Sequence, residues 1–161
     1  MVSVPKKDPI IEEAIRKELK KPEGKLTKSY LEEVTRLVLN GTKKVTDAGL
    51  KEVAKLTQLK GLYLEGTEIT DAGLKEVAKL KQLNFLALNL TQITDAGLKE
   101  VAKLKQLSFV NLEDTKVTES GVAQLQKALP KCDIRSDPPP SNPPFLLPSP
   151  TQSSQVIHQS R

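Results

Sequence analysis

One block of the chain returns unchanged at a spacing of 24 positions. Residues 46–56 read TDAGLKEVAKL, the same letters return at 70–80 and at 94–104, and a degraded copy, TESGV, begins at Thr118. A period of this length is typical of repeat proteins, in which each unit buries its apolar side against its neighbours. We therefore expect one row of stacked units, which suits a chain of 161 residues.

Between these blocks lie leucine-rich segments with the spacing L-x-x-L-x-L-x-x-T-x-I. They begin at Leu59 and Leu83, return with valine at two positions from Leu107, and have a first version at 34–42 with one extra residue near Lys43. In such a segment Leu62 and Leu64 alternate as strand residues that face the core, so the residues between them face outward. Each segment therefore predicts one short strand.

The unchanged block predicts a helix. Thr70 suits the N-cap, Asp71 suits the first turn, and Leu74, Val77 and Ala78 lie at helical spacing on one apolar face. Helices pack about 10 Å apart and parallel strands about 4.8 Å apart, so the row of units must curve with its strands inside. We expect an α/β solenoid, a right-handed horseshoe with parallel strands on the concave face and helices on the convex face.

The unit resembles the leucine-rich repeats of bacterial proteins of the ribonuclease-inhibitor-like type, and its ITDAGL block is similar to the cysteine-containing repeats of F-box adaptors. Threonine stands where those repeats carry Asn or Cys, in the column Thr42, Thr67, Thr91 and Thr115, and we expect its hydroxyl to satisfy the turn between units. The run from Asp8 resembles the helical cap of internalin-like members. The resemblance implies a curved interaction scaffold.

These patterns divide the chain into three parts. Residues 1–33 are predicted to form a helical N-terminal cap, and 34–135 four repeat units with a C-terminal cap. Residues 136–161 contain seven prolines followed by Ser, Gln and Thr, which favours a disordered tail. Within it, Pro140-x-x-Pro143 and Phe145–Leu147 are minimal candidates for ligand motifs, and a solvated extension is the simpler interpretation.

The sequence contains no recognisable catalytic, cofactor or metal site. His158 is the one histidine and lies in the predicted tail, and Cys132 is the one cysteine and fits a small buried filler. The Lys and Glu columns of the helices, such as Glu76 and Lys79, lie three residues apart and indicate a solvated face. We therefore expect no enzyme activity, no cofactor and no metal.

The outward strand positions do not repeat, and for that reason they carry the functional hypothesis. Three of the aromatic residues, Tyr63, Phe85 and Phe109, fall there among polar side chains, as at interaction hot spots. The candidate partner-binding residues are Arg36, Tyr63, Glu65, Phe85, Asn89, Phe109, Asn111 and Glu113. The alternative is that the rings only pack against each other.

We expect a protein or peptide partner, with neither nucleic acid nor membrane, and a monomer. The net charge of +5 comes mostly from Lys, which suits phosphate and base recognition less than Arg does. A structural scaffold that displays the Pro-rich tail and self-association at an imperfectly capped end remain open, and an F-box-like adaptor or nucleic-acid binder has less support. Without a signal peptide the expected location is cytoplasmic, or exported if a signal was removed.

Overall fold

Helices and short strands alternate along the chain in step with the 24-residue period. The computed structural model describes residues 8–138. Their elements in chain order are α1 (Pro9–Leu19), α2 (Lys28–Glu32), β1 (Arg36–Val38), α3 (Leu50–Val53), β2 (Gly61–Tyr63), α4 (Asp71–Val77), β3 (Phe85–Ala87), α5 (Asp95–Val101), β4 (Phe109–Asn111), α6 (Glu119–Ala128) and β5 (Asp133–Arg135).

The five strands form one parallel sheet in the order β1-β2-β3-β4-β5. Their central residues pair in register as Leu37, Leu62, Leu86, Val110 and Ile134. The step from Leu37 to Leu62 is one residue longer than the later steps, which confirms the extra residue of the first unit. This sheet, with a helix between each pair of strands, confirms the α/β solenoid.

The core lies between the sheet and the helices. Leu62 and Leu64 face it from the strand side, and Leu74 and Val77 face it from the helix side, with all four at most 1 % exposed. Burying a side chain of this size stabilises the fold by about 2 kcal/mol. Because each unit repeats these positions, the core is a stack of equivalent layers, and Val122 of α6 is partly exposed where the stack ends.

The aspartate of each repeated block binds the threonine that caps the next helix. Asp71 Oδ1 accepts a hydrogen bond from Thr94 N at 2.7 Å, and Asp71 Oδ2 accepts one from Thr94 Oγ1 at 2.6 Å. Thr94 Oγ1 in turn accepts from Ala96 N as the N-cap of α5. The pairs Asp47–Thr70 and Asp95–Thr118 repeat this arrangement, which the sequence analysis did not foresee.

The glycine of the repeated block makes room for this carboxylate. A methyl group on Gly97 would overlap Asp71 of the preceding unit, and one on Gly73 or Gly121 would overlap Asp47 or Asp95. These glycines have ordinary helical backbone angles, so close approach between units is what requires them, not an unusual backbone angle. The sequence T-D-x-G is therefore the contact between neighbouring helices.

The helix α1 covers the first unit. Asp8 Oδ1 accepts from Ile10 N as the N-cap, and Pro9 occupies the first helical position. Ile11 and Ile15 are buried in the core. The Asp8 carboxylate lies beside Gly49, as the carboxylates of the repeats lie beside theirs, so α1 stands in the place of a repeat helix.

At the other end, Gln126 closes part of the last layer, because its Nε2 donates to the carbonyls of Leu129 and Cys132 at 3.1 Å each. No helix within residues 8–138 is long and apolar enough to cross a bilayer. The predictions for most of the tail, including Pro140-x-x-Pro143, Phe145–Leu147 and His158, lie outside the described residues.

Candidate functional site

The side of the sheet that faces away from the helices, here called the strand face, carries three rows of side chains. In the first row are Arg36, Gly61, Phe85, Phe109 and Asp133, and in the second row are Val38, Tyr63, Ala87, Asn111 and Arg135. Two residues further along, the third row contains Asn40, Glu65, Asn89, Glu113 and Asp137. All eight residues predicted to bind a partner lie in these rows.

Three rings form a continuous stack across the strand face, the aromatic ladder of Tyr63, Phe85 and Phe109. The centroids of Tyr63 and Phe85 are 4.7 Å apart with planes at 29°, and those of Phe85 and Phe109 are also 4.7 Å apart, at 12°. Tyr63 belongs to a different row from the two phenylalanines. It reaches Phe85 across Gly61, which has no side chain, and a methyl group there would lie 3.5 Å from Tyr63 Cε2, an ordinary van der Waals distance.

An arginine lies at each end of the aromatic ladder. The Cζ atom of Arg36 is 4.9 Å from the Tyr63 ring centroid, and that of Arg135 is 5.7 Å from the Phe109 centroid. Both distances are within the range of cation–π attraction. Arg36 was among the predicted residues. Arg135 was missed, although it stands 24 positions after Asn111 and the period alone could have placed it on the face.

The third row is polar and partly tied to the backbone. Asn40 Oδ1 accepts from Glu65 N at 3.1 Å, and Asp137 Oδ2 accepts from Asp114 N at 2.9 Å. Asn111 of the second row reaches the same turn, where its Oδ1 accepts from Glu113 N at 2.9 Å. The predicted residues thus fall into two groups, with Arg36 and the rings in the ladder and Glu65, Asn89, Asn111 and Glu113 at the C-terminal ends of the strands.

Leu90 is a surface residue that sequence reasoning missed. It has a φ of 60° and is 51 % exposed, and it stands where the earlier units have Gly41 and Gly66 at φ 68° and 67°. A left-handed backbone is unfavourable for a residue with a Cβ by about 1–2 kcal/mol. Aligning the repeat units would have revealed a leucine in a glycine position, next to the third row.

Two other columns serve the scaffold. Thr67, Thr91 and Thr115 each donate from Oγ1 to the carbonyl three residues earlier at 2.5–2.7 Å, which confirms the predicted role, whereas Thr42 donates to Asn40 O at 3.4 Å. On the helix side, three glutamates form ion pairs with the lysines three residues later. These ion pairs are Glu52–Lys55, Glu76–Lys79 and Glu100–Lys103.

Cys132 has the character of a core residue. It is 4 % exposed, and burial, together with the neighbouring charge of Asp133, raises the pKa of its thiol to about 11. A thiol with a raised pKa is a weak nucleophile near neutral pH. Over the described part of the chain, no group of His, Cys, Asp and Glu side chains is placed to hold a metal ion.

Comparison with solved structures supports the repeat architecture. The chain is similar to an internalin from Listeria monocytogenes, with 28% identity and a TM-score of 0.63 over 80% of this chain. This similarity agrees with the 24-residue unit and the parallel sheet described above. The chain is a leucine-rich-repeat protein. It spans only 36% of the internalin.

Two more solved structures are similar to this leucine-rich-repeat protein. A leucine-rich-repeat protein of Leptospira interrogans is 25% identical with a TM-score of 0.45, and 68% of this chain aligns with 33% of it. The actin-binding site 2 of leiomodin-1 is 15% identical with a TM-score of 0.56, over 81% of this chain and 80% of that one, and shares the fold alone. Neither a family model nor a curated protein matches the chain. Solenoids of this kind serve in general as protein-interaction modules.

Proposed function

We propose that this leucine-rich-repeat protein is a non-enzymatic module that binds a protein or peptide on its strand face. The contact residues would be the predicted set Arg36, Tyr63, Glu65, Phe85, Asn89, Phe109, Asn111 and Glu113. The observation that carries the proposal is the aromatic ladder, whose three half-buried rings form a stack across β2, β3 and β4.

The ladder has the properties of an interaction hot spot. Aromatic rings bring a large contact area with few rotatable bonds, and here each ring is also held by its neighbours in the stack. An arginine at each end adds a second residue type that is enriched at hot spots. A partner that covers the exposed ring edges therefore loses little conformational freedom of this chain on binding.

The size of the face favours a narrow partner. Five strands about 4.8 Å apart form a strip only about 19 Å wide. This strip is small for a standard interface, which buries about 800 Å² on each side. A peptide, or a protruding segment of a larger protein, fits such a strip better than a broad globular surface does. This is why we propose a segment that lies along the ladder.

One observation supports a second candidate, a structural scaffold that displays the Pro-rich tail. The rings stack on each other and on the two arginines, so the ladder already satisfies part of its own surface. In that case the strand face would only stabilise the solenoid, and replacing the rings would change stability without changing any binding.

A display library of random peptides, panned on the full chain, separates the two functions. For recovered peptides, Tyr63→Ala plus Phe85→Ala is expected to weaken binding at least about 30-fold, the effect of removing a hot spot of about 2 kcal/mol. Tyr30→Ala is the matched control, since Tyr30 is an aromatic residue of α2 that lies under Lys21, away from the strand face.

Urea unfolding of each variant checks that the solenoid is intact. Should the alanine pair unfold, Tyr63→Leu plus Phe85→Leu retains apolar volume and removes only the rings. Peptides that bind all variants equally well, or a library that yields no peptide at all, would contradict binding on the strand face and favour the scaffold.

A further inference from the structure

The third row of the strand face has a charge opposite to that of the whole chain. Its five residues are Asn40, Glu65, Asn89, Glu113 and Asp137, that is, three carboxylates, two amides and no Lys or Arg, in a chain of net charge +5. Two residues of strand separate this row from the second row, a distance of about 6.6 Å. A ligand along the ladder therefore has the carboxylates at its side.

The carboxylates of the two faces differ in their pairing. On the helix side, Glu52, Glu76 and Glu100 each lie within 3.0 Å of the lysine three residues later. Over residues 8–138, no ion pair includes Glu65, Glu113 or Asp137. Within the described residues, the three carboxylates of the third row thus have no cation beside them, in contrast to these three glutamates of the helix side.

The cations of the strand face are held away from this row. Arg36 and Arg135 lie against the outer rings of the aromatic ladder, one at each end. The middle of the face therefore offers a partner an apolar ridge along one line and negative charge along the next.

From this arrangement we infer that the partner is a basic segment of a protein, with apolar side chains along one edge and Lys or Arg along the other. The inference rests on the proposed function, because it assigns a chemistry to the ligand of the same face. Apolar side chains of the segment cover the ring edges of Tyr63, Phe85 and Phe109, and its cations face the third row.

The spacing of the carboxylates sets the pattern of the segment. Glu65 and Glu113 lie two strands apart, about 10 Å, and Asp137 lies one strand further. Two cations of the segment about 10 Å apart match this spacing, and an arginine can bind a carboxylate through two parallel hydrogen bonds. A segment with acidic side chains would meet the same row with repulsion, so the row also selects against the wrong partner.

Parallel selections from one random peptide library test the inference with the full chain. The target proteins are the wild type, Glu65→Gln plus Glu113→Gln, and the control Glu76→Gln plus Glu100→Gln, which makes the same charge change on the helix side. We expect Lys and Arg to be enriched among peptides from the wild type and from the control, and not among those from the Glu65/Glu113 variant.

Fluorescence anisotropy of one wild-type peptide gives the size of the effect. We expect the Glu65/Glu113 variant to bind it about fivefold more weakly, as for two exposed ion pairs, and the control to bind it unchanged. Raising the salt concentration should weaken binding to the wild type and have less effect on the variant.

The outcomes separate the inference from the proposed function. Peptides that need Phe85 but have no more Lys and Arg than the unselected library would overturn the inference and leave binding on the strand face in place. Peptides whose binding ignores the Tyr63/Phe85 replacement would overturn both. Equal weakening by the control pair would show a general charge effect and also overturn the inference.

Discussion

The contact between neighbouring units predicts that one substitution, Gly121→Ala, destabilises the wild type but stabilises the Asp95→Ala variant. Asp95 accepts hydrogen bonds from Thr118 N at 2.7 Å and from Thr118 Oγ1 at 2.5 Å. A hydrogen bond to a charged group contributes about 1.5–3 kcal/mol, and because Thr118 is exposed we take the lower figure for each. Asp95→Ala should therefore destabilise the solenoid by about 3 kcal/mol.

Gly121→Ala should destabilise it nearly as much. The three atoms nearest to the new methyl group all belong to the Asp95 carboxylate, so the carboxylate must move away and give up its bonds to Thr118. Alanine has a higher helix propensity than glycine, which offsets about 0.5 kcal/mol of this destabilisation. The net decrease in the free energy of unfolding is then about 2.5 kcal/mol. In the Asp95→Ala background the obstacle is gone, and the same substitution should stabilise the protein by about 0.5 kcal/mol.

Urea unfolding of the four proteins, followed by far-ultraviolet circular dichroism, measures this coupling, which we expect to be about 3 kcal/mol. Ser120→Ala is the matched control, because Ser120 lies in the same turn, is exposed, and changes propensity without touching the carboxylate. Its effect should be the same in both backgrounds. An equal loss from Gly121→Ala in both backgrounds would refute the role assigned to the glycine.

Two further predictions concern single residues. Leu90→Gly removes the left-handed strain and should raise the free energy of unfolding by about 0.5–1 kcal/mol in urea, and a decrease would mean that contacts of the leucine outweigh the strain. Because the folded pKa of Cys132, about 11, exceeds its ordinary value of 9.0, the thiol contributes stability below pH 9 that is lost as the pH rises to 11. Over that window the wild type should lose about 2–3 kcal/mol more than Cys132→Ala, and parallel pH curves would contradict this.

The period alone predicted much of the fold, because each unit supplies the same strand, cap and apolar positions. It also placed Tyr63, Phe85 and Phe109 on one face. The alternation left packing of the rings against each other as an alternative, because Tyr63 and Phe85 belong to different rows and meet across Gly61.

Identical sequence does not give identical structure in this chain. The block at 46–56 has the same residues as the block at 70–80, yet α3 has four residues and no side-chain cap, whereas α4 has seven and is capped by Thr70. The difference lies in the preceding unit. Thr70 is held by Asp47, whereas Asp8, which lies beside Gly49 in the equivalent place before α3, uses its Oδ1 to accept from Ile10 N of its own helix. Local propensity could not reveal this dependence.

Each aspartate binds the helix that follows it in sequence, so these contacts all run in one direction along the solenoid. The same direction is the order in which the units are synthesised. During synthesis the N-terminal units leave the ribosome first, so each new helix meets a capping carboxylate that is already in position. Removing units from the C-terminal end deprives no remaining helix of its cap. Removing them from the N-terminal end leaves the next helix in the condition of α3, shortened at its start.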